Sequence, residues 1–554
     1  MSKAESSRFI YTPELKGSPV CHLKYPIINN AALSTRFRFL QRDKSFSLFL
    51  QNNESNVRET KRVKKTIERI TSSRSTEVRR NHQFDLPRGS GSFIISTSGS
   101  MRDSSNSVGN AFSPATRQTE AKKSVIIKIS EVSHIEHLKH FCECYARIVN
   151  IFPYNTIDNN RFVLMECSSE KDVEALRKIA VCKADPEYAH CVTPFFLYKP
   201  RFKLHTNQKT LDKDNYEYYS NFETPKLNEI NQSLKKIQSV SNQMMFLYNK
   251  LRITELNIRL RFYTATQISY YLSQLFINLS VVPFGSSVNG FGQIGCDLDL
   301  LCKTNISSDD KSGWKKFLFM TQIIPLVDRN EQKHFLDVIG TIMRTCIPGI
   351  TDVKKILEAR VPIIKFRNLY TNMQCDLSST NMTALHMSEL LYLYGQLDWR
   401  VKPLVFTIRK WARSMNLTKE NPGHWITNFS LTLLILFYLQ TKDILPSLTS
   451  IKIFSNKSNS IDNSDWFLKW KNSVSNNDES LSKLLREFFE YYSFFDFKTQ
   501  ALCLRDGITK VKKDVSPLYI YNPFNPSLNF SFYGQHLLPH FDHPGWIPLG
   551  KKAL

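Results

Sequence analysis

The stretch Val281-Val282-Pro283-Phe284-Gly285-Ser286-Ser287-Val288-Asn289-Gly290-Phe291-Gly292-Gln293-Ile294-Gly295-Cys296-Asp297-Leu298-Asp299-Leu300-Leu301 decides the reading of the whole chain. Val281 to Phe284 is a short apolar run of strand type, and Gly285-Ser286 is expected to turn it into a helix. A Gly-Ser turn at a helix N-terminus directs backbone N–H groups, a hydroxyl and the positive end of the helix dipole at one spot. That is an anion site suited to a triphosphate. Cys296 to Leu301 reads as a second strand. Alternate strand residues share a face, so Asp297 and Asp299 project together while Leu298 and Leu300 turn to the core. Neighbouring carboxylates repel unless a cation lies between them, and hard oxygen ligands suit Mg²⁺, or Mn²⁺ in the same role.

A third carboxylate is in reach. Arg360 to Phe366 reads as a strand, Tyr370-Thr371-Asn372 as a turn, and Met373-Gln374-Cys375-Asp376-Leu377-Ser378 as the returning strand. If this hairpin pairs beside the Asp297 strand, Asp376 completes a three-carboxylate site. Gly-Ser, then Asp-x-Asp about ten residues on, then a later strand Asp, is the pattern of the DNA polymerase β-like nucleotidyltransferase superfamily, which the chain resembles. The likeness extends beyond it. Val401-Lys402-Pro403-Leu404-Val405 through Trp411-Ala412-Arg413, Pro422 to Leu431, and Pro517-Leu518-Tyr519-Ile520-Tyr521-Asn522-Pro523-Phe524 through Asn529 resemble segments of the non-canonical poly(A) polymerases. With its front end (below), the chain is most similar to the mitochondrial members of that family, over roughly residues 124–530.

The resemblance implies a fold class of α+β and multidomain: an RRM-like N-terminal domain, a polymerase β-like palm with a mixed sheet, and a helical central/PAP-associated domain. It implies an enzyme, a polynucleotide adenylyltransferase that transfers AMP from ATP to RNA 3′ ends with release of pyrophosphate by a two-metal mechanism. Asp297, Asp299 and Asp376 would bind two Mg²⁺ (or Mn²⁺), with Asp376 placed to help take the proton of the RNA 3′-hydroxyl. Gly285 and Ser286 would cradle the β- and γ-phosphates, with Phe284 and Ser287 close by. Arg409 and Arg413, one helical turn apart and expected to face the same way, stand where the family holds the triphosphate with basic residues, usually Lys. Asn428 matches a phosphate contact and Phe429 an aromatic on which the base stacks. Asn381 to Met387, including Ala384, matches the stretch that reads the ribose. Several relatives have Asn where Met387 stands, which leaves the ribose to Asn381 or Ser388. Uridylyl-transferring relatives carry a His where this chain has Leu528, so Leu528 points to ATP.

The remaining sequence fits this reading. The chain has 554 residues and a formal net charge of +24, an excess suited to a polyanion such as single-stranded RNA. Its 11 cysteines have no zinc-ligand spacing and suggest reduced thiols. The apolar run Phe429 to Leu439 is too short to span a bilayer, so no membrane role is expected. Residues 1–123 hold 22 Lys/Arg against 10 Asp/Glu, and Lys16 to Asn53 contains a single acid, Asp43. That composition suits a mitochondrial presequence and a polar linker, 96–123, with delivery to the matrix.

The order βαββαβ follows: strands at 124–129, 148–154, 161–166 and 192–198, helices at 134–146 and 170–180. This is the order of an RRM-like domain over 124–203. Its third strand, Arg161 to Glu166, lacks the Gly/aromatic alternation of RNA-binding members, so the domain serves either RNA or protein contacts such as homodimerisation. Residues 204–380 are expected to form the palm, with 204–280 as leading helices, 381–535 the helical domain, and 536–554 a tail. Ser455 to Ser480 reads as an exposed insertion with one amphipathic turn at Trp466 to Trp470. Two other functions remain open: a uridylyltransferase on the same fold, and an inactive RNA-binding or dimerising scaffold.

Overall fold

The structure, a computed structural model, describes residues 21–24, 114–179, 195–200, 227–276, 279–304, 329–359, 361–379, 381–418, 426–451, 470, 472–473, 477–513, 516, 518–524 and 529–532. Apart from residues 21–24 and 114–123, the expected presequence lies outside them. So do residues 204–226, most of the Ser455–Ser480 insertion, His424 and Leu528.

The first sheet contains β1 (Cys21–Lys24), β2 (Ser124–Ile129), β3 (Ile148–Asn155), β4 (Arg161–Cys167) and β5 (Phe195–Pro200), in the order β1-β5-β2-β4-β3. Before β2 comes α1 (Pro114–Lys122); α2 (His134–Glu143) connects β2 to β3, and α3 (Glu170–Ile179) follows β4. The Val-Ile-Ile run of β2 and the Phe-Val-Leu-Met run of β4 favour strands that are apolar on both faces. One face (Val125, Ile127, Val163, Met165, Phe196, Tyr198) packs on α2 and α3. The other (Ile126, Tyr154, Phe162, Leu164) packs on the following domain.

The linker expectation for 96–123 fails at its end, because α1 is a helix. A lone nine-residue polar helix is marginal in water, so its docking sustains it. Ala121 packs with Phe262 and Val288, and buried Arg117 donates to Glu255 Oε2 at 2.7 Å and to Glu120 at 2.9 Å. Glu255, Phe262 and Val288 lie far away in sequence, which is why a local reading saw only polar residues.

Three helices, α4 (Leu227–Lys235), α5 (Val240–Leu251) and α6 (Glu255–Ser273), lead into the second sheet. The N-cap of α6 is Thr254, which accepts from Asn257 N. β6 (Leu279–Phe284), β7 (Leu298–Thr304), β8 (Ile350–Ile356), β9 (Ile363–Asn368) and β10 (Met373–Ser378) pair in the order β6-β7-β10-β9-β8, with α7 (Arg329–Cys346) between β7 and β8. Only β7 and β10 run parallel. One face of this mixed sheet is filled by Leu298, Leu300, Ile364, Phe366, Cys375 and Leu377 against α6 and α7.

Beyond it, α8 (Met382–Leu397), α9 (Val401–Ser414), α10 (Asn428–Thr441) and α11 (Leu481–Ser493) share one core. α10 is buried on nearly all sides and starts with a capping box, Thr427 and Ser430. The expectation that 381–535 is helical needs correction. β11 (Gln500–Cys503), β12 (Ile508–Val511), β13 (Leu518–Tyr521) and β14 (Asn529–Phe532) form a third sheet, ordered β12-β11-β13-β14. Four-residue strands are too short for alternation to register in a sequence window. Among the described residues no helix is long and apolar enough to cross a membrane.

Candidate active site

The site lies where three segments of the second sheet meet. β6 delivers Phe284, whose register partner on β7 is Asp299. Gly285 follows with φ of +65°, a left-handed turn that a side chain disfavours, and a Cβ there would sit 2.4 Å from Asp299 Oδ2. The turn and the second carboxylate are therefore packed together, and a side chain at this position would be strained and would displace Asp299. The expected helix after this turn is not formed. Gly285–Ser287 is one 3₁₀ turn, and Gly290 and Gly295, both at positive φ, carry the chain back into β7 as a loop.

Asp299 lies on β7, and Asp376 is its register partner on parallel β10. The hairpin expectation thus holds: β9 and β10 pair antiparallel, and Asp376 comes to lie beside the Asp-x-Asp strand. Asp297 precedes β7 by one residue and is exposed. Asp376 Oδ2 accepts from Lys365 Nζ at 2.8 Å, across the register pair Asp376–Lys365. Burial, then the negative charges of Asp376 and Asp297, push Asp299 up to about 7, while Arg261 and Lys365 act the other way. Lys365 is raised, first by its hydrogen bond to Asp376. The carboxylates thus form one electrostatic cluster. Even so, among the described residues no three His, Cys, Asp or Glu side chains converge closely enough to enclose a metal ion. Within the cluster, Lys365 is the cation paired to Asp376.

Several expected contacts are already engaged inside the protein. Gly285 N–H donates to Ser388 Oγ at 2.8 Å, so it is not a free anion donor. Ser388 Oγ donates in turn to Ala384 O at 2.6 Å, and Asn381 Oδ1 caps α8 by accepting from Ala384 N at 3.2 Å. Met387 is buried, which accounts for an apolar residue at that position. Ser287 is buried and accepts from Arg261 at 2.7 Å. Ser286 Oγ sits 3.3 Å from Cys296 Sγ.

Arg409 and Arg413 do not share an environment. Arg413 is exposed, whereas Arg409 Nη1 donates to Phe291 O at 2.9 Å and its other nitrogens reach Thr432 Oγ1. Burial draws Arg409 down to about 10. Arg409 therefore ties the loop behind the Gly-Ser turn to α10, whereas Arg413 lies on the exposed part of α9. Asn428 opens α10 and is exposed; Phe429 is half-buried against the helical core. The sequence reading missed Arg261, Lys365 and the role of Ser388. An arginine amid the apolar residues of α6 was the available signal for the first.

Residues 240–396 match the family model for the central palm domain of the mitochondrial-like poly(A) RNA polymerases, and residues 480–528 match the Cid1 family poly A polymerase model. The chain is similar to the mitochondrial poly(A) RNA polymerase of Drosophila melanogaster, 32% identical over 438 residues, covering 75% of this chain and 71% of the relative. The Homo sapiens protein of the same name is 35% identical over 432 residues, covering 75% and 72%. Among solved structures, mtPAP in complex with ATPγS aligns with a TM-score of 0.65 at 31% identity, covering 79% of this chain and 93% of that one. mtPAP in complex with UTP aligns with a TM-score of 0.66 at 32% identity, with the same coverage.

Proposed function

We propose that this chain, which belongs to the mitochondrial poly(A) RNA polymerase family, adds AMP from ATP to the 3′ ends of single-stranded RNA in the mitochondrial matrix. It is a polynucleotide adenylyltransferase. The observation that carries the site assignment is the packing of Gly285 on Asp299 with Asp376 in register beside it.

In this reading the RNA 3′-oxygen attacks the α-phosphorus of ATP, the bond to the bridging oxygen breaks, and pyrophosphate leaves. Asp376 accepts the hydroxyl proton. Asp297, Asp299 and Asp376 suit a hard divalent cation, since three clustered carboxylates face one paired lysine and their repulsion needs a counter-charge. Bound there, Mg²⁺ would activate the hydroxyl and neutralise the leaving group. Ser286 and Arg413 would contact the triphosphate, and Phe429 would stack on the base from the start of α10. Arg409 would keep the loop behind the turn in place.

The first sheet we read as the RRM-like domain, 124–203. Its face bearing Tyr154 and Phe162 packs on α6, which favours a scaffolding or dimerising role over base stacking there. A homodimer would show as concentration-dependent sedimentation, and a monomer at every concentration would exclude it.

The related mtPAP is seen in complex with ATPγS, CTP, GTP and UTP. Turnover must be measured. Purified protein, labelled single-stranded RNA, Mg²⁺ and each NTP separately should give long products with ATP alone. Equal or better extension with UTP would replace the adenylyltransferase by a uridylyltransferase on the same site.

A further inference from the structure

Arg261, midway along α6, is 1% exposed, and among the described residues it makes no hydrogen bond to a carboxylate. Burying a guanidinium is costly unless its donors are satisfied, and these donors are satisfied by an unusual set. Nε donates to Asn257 Oδ1 at 2.7 Å, one turn back on the same helix. Nη1 donates to Ser287 Oγ at 2.7 Å and to the backbone oxygen of Asp297 at 2.9 Å. Nη2 donates to the backbone oxygen of Cys296 at 2.5 Å.

Ser287 closes the Gly-Ser turn, and Cys296-Asp297 enters the carboxylate strand. They are joined by a loop of eight residues with Gly290 and Gly295 at positive φ, whose middle is held by Arg409 on the Phe291 carbonyl and by the backbone bonds of Ile253 N to Gly292 O and Ile294 N to Leu251 O. The planar fork of Arg261 adds to these anchors a direct bridge between the loop's two ends, the phosphate-side turn and the backbone at the first carboxylate. Its partner Asn257 sits in the first turn of α6, capped by Thr254, so the fork itself is anchored to a rigid element.

We propose that Arg261 is a positioning residue for nucleotide transfer: it staples the Ser287 turn to the Cys296–Asp297 backbone and so sets the geometry between the triphosphate and Asp297. The proposal rests on the function and site assigned above. A lysine cannot replace the fork, because a single ammonium cannot hold Ser287 and two backbone oxygens in the same plane. Misplacement of a catalytic element by an ångström costs about 10²-fold in rate.

The test is steady-state extension of RNA with ATP by the full chain carrying Arg261→Lys or Arg261→Met, alongside melting temperature and equilibrium RNA affinity. The expected result is kcat lowered by about 10²-fold in Arg261→Met and by at least about 10-fold in Arg261→Lys, with KM for ATP raised and RNA affinity at the wild-type value. A merely structural arginine would lower melting temperature and active fraction together and leave KM for ATP unchanged. That outcome overturns the proposal, as does wild-type kcat in folded Arg261→Lys. Should both variants fail to fold, Ser287→Ala keeps Arg261 and removes one limb of the staple; a raised KM for ATP supports the proposal and wild-type kinetics overturn it. Wild-type protein that does not extend RNA with ATP would reject the assigned function instead, and the two failures stay separate.

Discussion

The first and second sheets contain five described strands each, yet they use their surfaces differently. In the first, both faces of the central strands are apolar and both are covered, one by α2 and α3 and the other by α6 and its neighbours. In the second, one face is filled by the core among the described residues; β10 alternates buried Met373, Cys375 and Leu377 with exposed Gln374 and half-buried Asp376. An element buried on both sides can only support, whereas one with a polar open face can carry chemistry. The side-chain period of two makes the distinction, since one residue of register decides which face a carboxylate takes.

The largest effect should come from the open face. Asp297→Ala or Asp376→Ala should reduce extension by about 10³-fold or more, since charge stabilisation at such a site is worth several kcal/mol. RNA affinity and melting temperature should stay near wild type, because neither carboxylate fills a core. Retained extension would break the comparison.

Phe162→Ala, on the doubly covered sheet, should do the opposite. Phe162 is 2% exposed and stacks on Tyr154 with ring centroids 5.6 Å apart. Its loss should cost about 3–5 kcal/mol of stability, read from denaturant unfolding, while KM for ATP in the folded protein is unchanged. A shift in KM would mean that the first sheet reaches the site.

Gly285→Ala lies at the boundary between support and chemistry. The left-handed turn costs an alanine about 1 kcal/mol, and the new Cβ would displace Asp299. Extension should fall by about 10²-fold with a smaller loss of stability. Wild-type extension would separate the turn from the carboxylates.

The smallest effect concerns pH. Asp299, pushed from its ordinary 3.8 up to about 7, holds its proton more tightly folded than unfolded. Its contribution therefore favours folding most below about 3.8 and is lost as pH rises through about 7. In EDTA, melting temperature should fall between pH 5 and pH 8 more steeply in wild type than in Asp299→Asn. Equal slopes would remove the burial argument.

Much of this was legible because it was local. The β2 run Ser124 to Ile129 and the β10 run Met373 to Ser378 were read with the bounds they have. The β9–β10 hairpin was legible from its turn at Tyr370–Asn372, whereas the pairing of β10 with β7 that brings Asp376 beside Asp299 was left as a condition, because a parallel pairing between distant strands has no local signal. What could not be read was non-local. Two of the four acceptors of Arg261 are backbone oxygens, which have no sequence identity, and α1 exists through Arg117 and Glu255, far apart in the chain. Arg409 looked like the twin of Arg413 because both sit on α9, but helix spacing says nothing of the Phe291 carbonyl that claims one of them.

The central claim is that the open face of the second sheet holds the cation that nucleotide transfer needs. Its most direct test is Mn²⁺ binding followed by electron paramagnetic resonance, comparing wild type with the triple variant D297N/D299N/D376N. The account predicts saturable Mn²⁺ binding in wild type, absent from a folded triple variant. Identical binding curves would contradict it.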